Sequence, residues 1–357
     1  MSGLAAIVPI VGRTQTMELL TTTPVATPNR DSILTTIRDE NATSTQKAYA
    51  QAMKSLFAYY ERQGWEFYPS APDSTGVFVE RVLSYLRHLA DEGRSLSTIN
   101  KTLAAVKSHV TYANPTYYAA LQTKLVKAFM EGLTRQLRDH TPRKAQAFTV
   151  ADLKLIHKHL SKKHTPRAVR DRALIALGIA TALRSSNIGT LTLSDITPAL
   201  TIDGLNVRVR FSKTDQHGKG HTVPVARAAD RLLDPVRAVN EWVGVLASYG
   251  FTRESAPDFP LFPAVRGQRG VQPTPMLHPN IAITELLRSV VGASGVSTST
   301  DVYSSHSLRA TFITLSNQAN VSEKDIAAVS GHRDMNTLRS YDRTTVERAA
   351  QADYLNV

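Results

Sequence analysis

Apolar residues recur at helical spacing from about residue 43 onward. Tyr49, Met53, Leu56, Phe57 and Tyr60 share one face of a helix predicted over residues 43–63, with Thr43 or Ser44 as cap and Gly64 as stop. Phe78, Val82, Leu86 and Leu89 predict a second helix over 74–92, stopped by Gly93. A third is predicted to begin with Ser97 as N-cap and carries Ile99, Leu103, Val106 and Val110. A fourth is predicted over 118–138, with Leu121, Leu125, Phe129, Leu133 and Leu137 inward. Connections this short make the four helices antiparallel neighbours in one helical domain.

The pattern breaks at residues 139–147, DHTPRKAQA, which carry Pro142 and adjacent basic residues and read as a linker. Helical spacing returns over 150–160 and again over 166–183, the second opened by Pro166 and apolar at Val169, Ala173, Leu174, Leu177 and Ala180. Arg184 falls at its end, beside Ser185, Ser186 and Asn187. The period then shortens to two. Strands are predicted over 191–196, 206–212 and 221–225, with Val207, Val209 and Phe211 on one side and Arg208 and Arg210 on the other. Lys213 stands at the start of the polar turn between the last two strands, and Lys219 lies in the same turn. Further helices are expected over 228–247 and 280–291, separated by a Pro- and Gly-rich loop over 250–275. Ser322 and Asp325 have the spacing of a capping box for a helix ending near Ser330. The expected fold is mostly α with a small antiparallel β-sheet. The expected units are a tail over residues 1–30, a helical domain over 31–138, and a larger α+β domain over 148–357 with a C-terminal tail.

Charge narrows the class of partner. The chain of 357 residues carries 42 Lys and Arg against 30 Asp and Glu, a formal charge of +12. Such a surplus favours a polyanion, nucleic acid before an anionic membrane, with a basic protein lacking either partner as the bland alternative. There is no cysteine, which excludes disulfides, thiolate nucleophiles and Cys-ligated zinc. No apolar run approaches the roughly 20 residues of a membrane span. The opening MSGLAAIVPIVGR has no basic leader and is interrupted by Pro9, so no signal peptide is expected; the acid-poor, Thr-rich stretch that follows leaves a transit peptide as the lesser reading. The expected location is the cytoplasm.

The candidate chemistry gathers near the end of the chain. His306 and Arg309 are spaced i, i+3 and share a helix face. Gly331 and His332 follow, and Tyr341 stands nine residues after His332. These are the residue types that cleave a phosphodiester without a metal. Guanidinium forks such as those of Arg184 and Arg309 neutralise charge growing on the non-bridging oxygens. The phenol of Tyr341 can attack phosphorus once His306 takes its proton. His332 can hydrogen-bond the phosphate, and Lys213 can protonate the leaving oxygen, with Lys219 as its competitor. Taken singly, such a Tyr, His or Lys reads more often as packing or solvated surface, and an Arg after an apolar helix reads also as a partner of the helix dipole. The order and spacing of the set carry the signal. For duplex DNA, the candidate contacts are Lys101 and Lys107 on the third helix, near His109, and Arg143 and Lys144 in the linker. Ser97, Thr98 and Asn100 are placed to reach base edges.

The run TALR at Arg184, FSKT at Lys213, His306-Ser-Leu-Arg309, Gly331-His332 and Tyr341 resembles the tyrosine recombinases, the phage-integrase family. The resemblance spans roughly residues 145–345; the helical domain before it matches the family's core-binding domain in kind. It implies a two-domain architecture that clamps double-stranded DNA at inverted-repeat target sites. It also implies a 3′-phosphotyrosine intermediate and no cofactor or metal. The enzyme would be a homotetramer on DNA, a monomer or weak oligomer when free, and nucleoid-associated when bound. The short segment before the first helix favours an enzyme without a separate arm-binding domain. Where the family often has an acid three positions after its first arginine, this chain has Asn187. The C-terminal tail, with Val346, Ala349, Ala350 and Leu355, is expected to dock on a neighbouring subunit, as such segments do in the family. Alternatives are a type IB topoisomerase or telomere resolvase, which share this active site, and a DNA-binding protein whose catalytic site has decayed.

Overall fold

The structure is a computed structural model and describes residues 43–70, 72–138, 144–210, 220–265, 270–272 and 274–332. The expected N-terminal and C-terminal tails lie outside them. The chain divides into two compact units, residues 1–142 and 143–357. The described residues form twelve α-helices and one three-stranded antiparallel sheet, the mostly α class with a small sheet that the sequence leads one to expect.

In the first unit, α1 (Thr43–Gln63), α2 (Ser74–Asp91) and α3 (Leu96–Ala113) follow the predicted periods closely. Leu56, Phe78, Val82, Leu86, Ile99, Val106 and Val110 are buried in one core. The cap of α3 is Ser95, two residues before the expected Ser97; its hydroxyl accepts a hydrogen bond from the Thr98 N–H. The predicted fourth helix is two helices, α4 (Pro115–Ala120) and α5 (Lys124–Gln136). Asn114 caps α4 through its side chain and Pro115 starts it, while α5 restarts after Thr123. The break resets the helical phase. Val126 and Leu133 are buried, whereas Leu125 is 64% exposed and lines an apolar groove with Val79, Leu83 and Phe129.

The second unit is built around α7 (Pro166–Thr181), which is buried almost all round rather than along one face. Against it pack α6 (Val150–Ser161), α9 (Pro235–Ser248) and α11 (His306–Gln318). A capping box of Thr149 and Asp152 starts α6. A Cβ at Gly178 would stand 2.7 Å from Leu308 Cδ1, so the bare glycine lets α7 and α11 approach closely. The short α8 (Ser185–Thr190) follows α7 and packs on α10 (Pro279–Ser294). The last described helix is α12 (Glu323–Ser330). Its Ser322 hydroxyl accepts from the Asp325 N–H, but Asp325 returns its carboxylate to the Ser322 hydroxyl rather than to the backbone. The helix expected from residue 228 starts at Pro235, because Asp234 caps it there and Pro235 cannot continue a helix from upstream.

The sheet has the order β1-β2-β3, with β1 (Ile196–Pro198), β2 (Gly204–Val209) and β3 (His221–Ala226). The strand expected over 191–196 is instead a 3-10 turn (Leu193–Asp195) followed by β1, because Asp195 folds back to cap Thr192. Val207 pairs with Ile196 and Val223, and Leu205, Val207, Val209, Val223 and Val225 turn inward. Val209 and His221 are the last pair of the ladder; Lys213 and Lys219, between them in sequence, lie outside the described residues. No helix among the described residues is long and apolar enough to cross a membrane.

Candidate active site

Where α7 ends, the chain enters a left-handed turn at Ala182, with φ of 49° and no exposure to solvent. A residue with a Cβ pays roughly 1–2 kcal/mol for this conformation. The turn aims the Ala182 carbonyl at Arg309 and brings the half-buried Arg184 to the N-cap of α8.

Arg309 is 4% exposed. Its Nη1 donates to the Ala182 carbonyl at 2.9 Å, and its Nη2 lies 3.0 Å from His332 Nε2 and 3.3 Å from Nδ1. His306 opens α11, with its ring at the surface. Ser305, just before it, anchors the helix start: its N–H donates to Thr284 Oγ1 and its hydroxyl donates to Asn280 Oδ1, both on α10. Partial burial first, and then the positive charges of Arg309 and Arg184, lower the His306 pKa below the ordinary histidine value. Two arginines contributed by helix ends far apart in sequence therefore act on the same imidazole.

Gly331 ends α12 with φ of 67°, the left-handed cap that glycine adopts without strain. The reversal carries His332 back over the end of α12. There its Nδ1 lies 2.8 Å from the hydroxyl of Ser330. Ser330 is buried, and its hydroxyl donates to the Ile326 carbonyl at 2.6 Å.

A second polar cluster steadies the hairpin. Asp195, 2% exposed, accepts from the Thr192 N–H and hydroxyl, from Arg208 Nε at 3.2 Å and from Arg210 Nε at 2.8 Å. Arg210 also donates to Thr192 and Ser194. The end of β2 and Arg210 just after it are thus pinned to the segment after α8. Lys213, Lys219 and Tyr341 lie outside the described residues, as does Arg143. Asn187 is buried within α8, where its amide oxygen accepts from the Ser186 hydroxyl.

The structure brings together Arg184, His306, Arg309 and His332. Sequence reasoning missed Ala182, Ser330 and Asp195. The Ser-Gly-His order was visible, but a hydroxyl two residues before a histidine has no meaning until Gly331 reverses the chain. In the first unit, Ser97, Asn100 and Lys101 make one exposed stripe on α3. Lys107 is half-buried instead: its Nζ donates to Gln122 Oε1 at 3.2 Å, and burial lowers its pKa. His109 packs edge-on against Phe57 and Phe67 rather than standing on a polar face. Lys144 is exposed.

Comparison with known proteins places these features in context. A family model described as the phage integrase family matches residues 146–348. The chain is 25% identical over 265 residues to the tyrosine recombinase XerD of Rickettsia conorii (strain ATCC VR-613 / Malish 7), covering 74% of this chain and 79% of that protein. Among solved structures, the XerH site-specific recombinase bound to palindromic difH substrate in a post-cleavage complex matches with a TM-score of 0.60 and 14% identity, over 96% of this chain and 94% of that one. A lambda integrase tetramer bound to a Holliday junction matches with a TM-score of 0.55 and 17% identity, over 96% and 88% of the two chains.

Proposed function

The chain belongs to the phage integrase family of tyrosine-type site-specific DNA recombinases, and from that premise we propose that it cleaves and rejoins DNA through a 3′-phosphotyrosine intermediate formed by Tyr341. The observation that carries this reading is the convergence on His306 of the charges of Arg184 and Arg309, with Arg309 also held against His332. That is the arrangement a scissile phosphate requires. Arg184 and Arg309 bind its non-bridging oxygens and stabilise the charge that grows there, each worth on the order of a hundredfold in rate. His306, kept neutral by partial burial and then by its cationic neighbours, accepts the proton of the Tyr341 phenol. The phenolate oxygen forms a bond to phosphorus as the bond to the 5′ oxygen breaks. A lysine of the β2–β3 turn, Lys213 or its competitor Lys219, protonates that leaving oxygen. His332 hydrogen-bonds the phosphate. The phosphotyrosine conserves the energy of the broken bond, so a 5′ hydroxyl from the partner site reseals the strand without ATP.

The domain roles extend the same reading. The helical unit is the core-binding domain, and the exposed stripe of Ser97, Asn100 and Lys101 on α3 suits a DNA groove, with Lys144 near a backbone. Two inverted-repeat sites would be held by four copies of the chain, with the C-terminal tail of each docked on its neighbour. The lambda integrase tetramer on a Holliday junction supports that stoichiometry by likeness of fold.

The test begins with duplexes selected from a random pool by binding to the full-length protein, then nicked on the scissile strand a few nucleotides 3′ of the expected cleavage position, so that the short 5′-hydroxyl fragment released by cleavage diffuses away. The wild-type protein should accumulate an SDS-resistant, protease-sensitive adduct on the 3′ end. Tight binding with no adduct on any nicked duplex would sink the catalytic reading in favour of a DNA-binding protein.

The pH dependence has a definite sign. The His306 pKa is depressed, so its base form persists as pH falls through the ordinary histidine value. At subsaturating DNA, where the free enzyme's groups are read, the acid limb of adduct formation should lie below that value. Arg184→Gln removes one of the charges that depress it and should move the limb to higher pH. A limb unmoved by Arg184→Gln would show that the Arg184 charge does not act on the base.

A further inference from the structure

We propose that Ser330 is a positioning residue that fixes the tautomer of His332, leaving Nε2 as the ring nitrogen that gains and loses the proton. The inference rests on the reading of His332 as part of the active site. It starts from proton counting. A serine hydroxyl has one proton, and that of Ser330 goes to the Ile326 carbonyl at 2.6 Å, an atom that can only accept. Sending the proton to His332 instead would leave two oxygens facing each other at that distance with nothing between them. The Ser330 oxygen is therefore the acceptor in its 2.8 Å contact with His332 Nδ1, and Nδ1 carries the hydrogen. Ser330 is 4% exposed, so water does not readily substitute for either bond.

The contact with Arg309 supports the same state. Nη2 lies within 3.0 Å of one ring nitrogen and 3.3 Å of the other. An atom in the ring plane at those two distances would overlap Cε1, so the guanidinium lies against the face of the imidazole. A cation on the face favours a neutral ring over a charged one. A neutral ring with its hydrogen on Nδ1 presents a lone pair at Nε2. His332 is then an acceptor before DNA binds, and it donates to a phosphate oxygen only after Nε2 takes up a proton. Gly331 makes the arrangement possible, since its left-handed turn brings residue 332 back to residue 330.

The experiment has two arms. In the first, the full-length protein is labelled with nitrogen-15 in histidine, and His332 is identified by the signals missing from His332→Gln. At mildly alkaline pH without DNA, the wild-type ring should be protonated at Nδ1. Ser330→Ala should shift the ring toward the Nε2–H form, and Ser330→Thr should restore it. A wild-type ring already protonated at Nε2, or one unchanged by Ser330→Ala, overturns the assignment. The wild-type reading does not depend on the Ser330 variants, so misfolding of either leaves this arm standing. In the second, Ser330→Ala should slow single-turnover adduct formation on a nicked duplex by about tenfold, with DNA affinity unchanged and recovery in Ser330→Thr. A changed ring with an unchanged rate overturns the positioning role. The first arm uses neither DNA nor activity, so failure of the Ser330 assignment and failure of the recombinase reading give different results.

Discussion

Tyr341→Phe should bind DNA as tightly as the wild-type chain and form no covalent adduct. The substitution removes one oxygen and keeps the ring, so the nucleophile is lost with little change in side-chain shape. Residue 341 lies within the segment matched by the phage integrase model. Tyr354 provides the control, since it is the other phenol of the C-terminal tail: Tyr354→Phe should retain adduct formation. The measurement is the fraction of nicked duplex that becomes SDS-resistant, read beside a binding isotherm for each variant. An adduct at the wild-type rate in Tyr341→Phe would remove the assignment, and its loss in Tyr354→Phe alone would transfer it.

The second large effect is expected at Arg309. Arg309→Lys keeps the charge and loses the fork. The buried guanidinium reaches the Ala182 carbonyl with Nη1 and the face of His332 with Nη2, a span that one ammonium cannot reproduce. Three things fail together. The Ala182 carbonyl is left without its side-chain donor, His332 loses its neighbour, and the phosphate loses a planar donor pair. Adduct formation should fall by about a hundredfold or more. Stability in urea should fall by about 1–3 kcal/mol, the cost of leaving a buried polar group unmet. DNA affinity should change little, because many phosphate contacts share the binding energy. A lysine variant that cleaves at the wild-type rate would show that position and charge suffice and that the fork is dispensable.

Periodicity located most helices because each buries a stripe against one core, and a stripe repeats whether or not its partner is known. It failed where local chemistry resets the phase. Leu125 sits at the right interval after Leu121 to face inward, yet the chain leaves the helix between them, and Val126 takes the buried place. Asn114-Pro115 and Thr123 were the available signals, and an uninterrupted apolar register overrode them. The same fault put the α3 cap at Ser97, when Ser95 has the hydroxyl in reach of Thr98. Among the site residues, His306 and Arg309 were legible because a helix fixes their relation through three residues of sequence. Arg184 was legible only through its motif. The Ala182 carbonyl and the Ser330 hydroxyl were not, because their partners come from residues 309 and 332, after the chain has turned. Asp195 was hidden for the same reason, its two arginines lying on the strand that follows.

The route by which the chain enters its second unit has a mechanical consequence. The Gln146 N–H bonds the Val302 carbonyl, the Phe148 N–H bonds Thr311 Oγ1, and the Phe148 ring stacks on Tyr303 with centroids 4.8 Å apart. These residues open the described part of the second unit, and their partners flank and form α11, which bears His306 and Arg309. A force applied to the chain at the start of the described second unit is therefore delivered to α11 itself and not to the far wall of the unit.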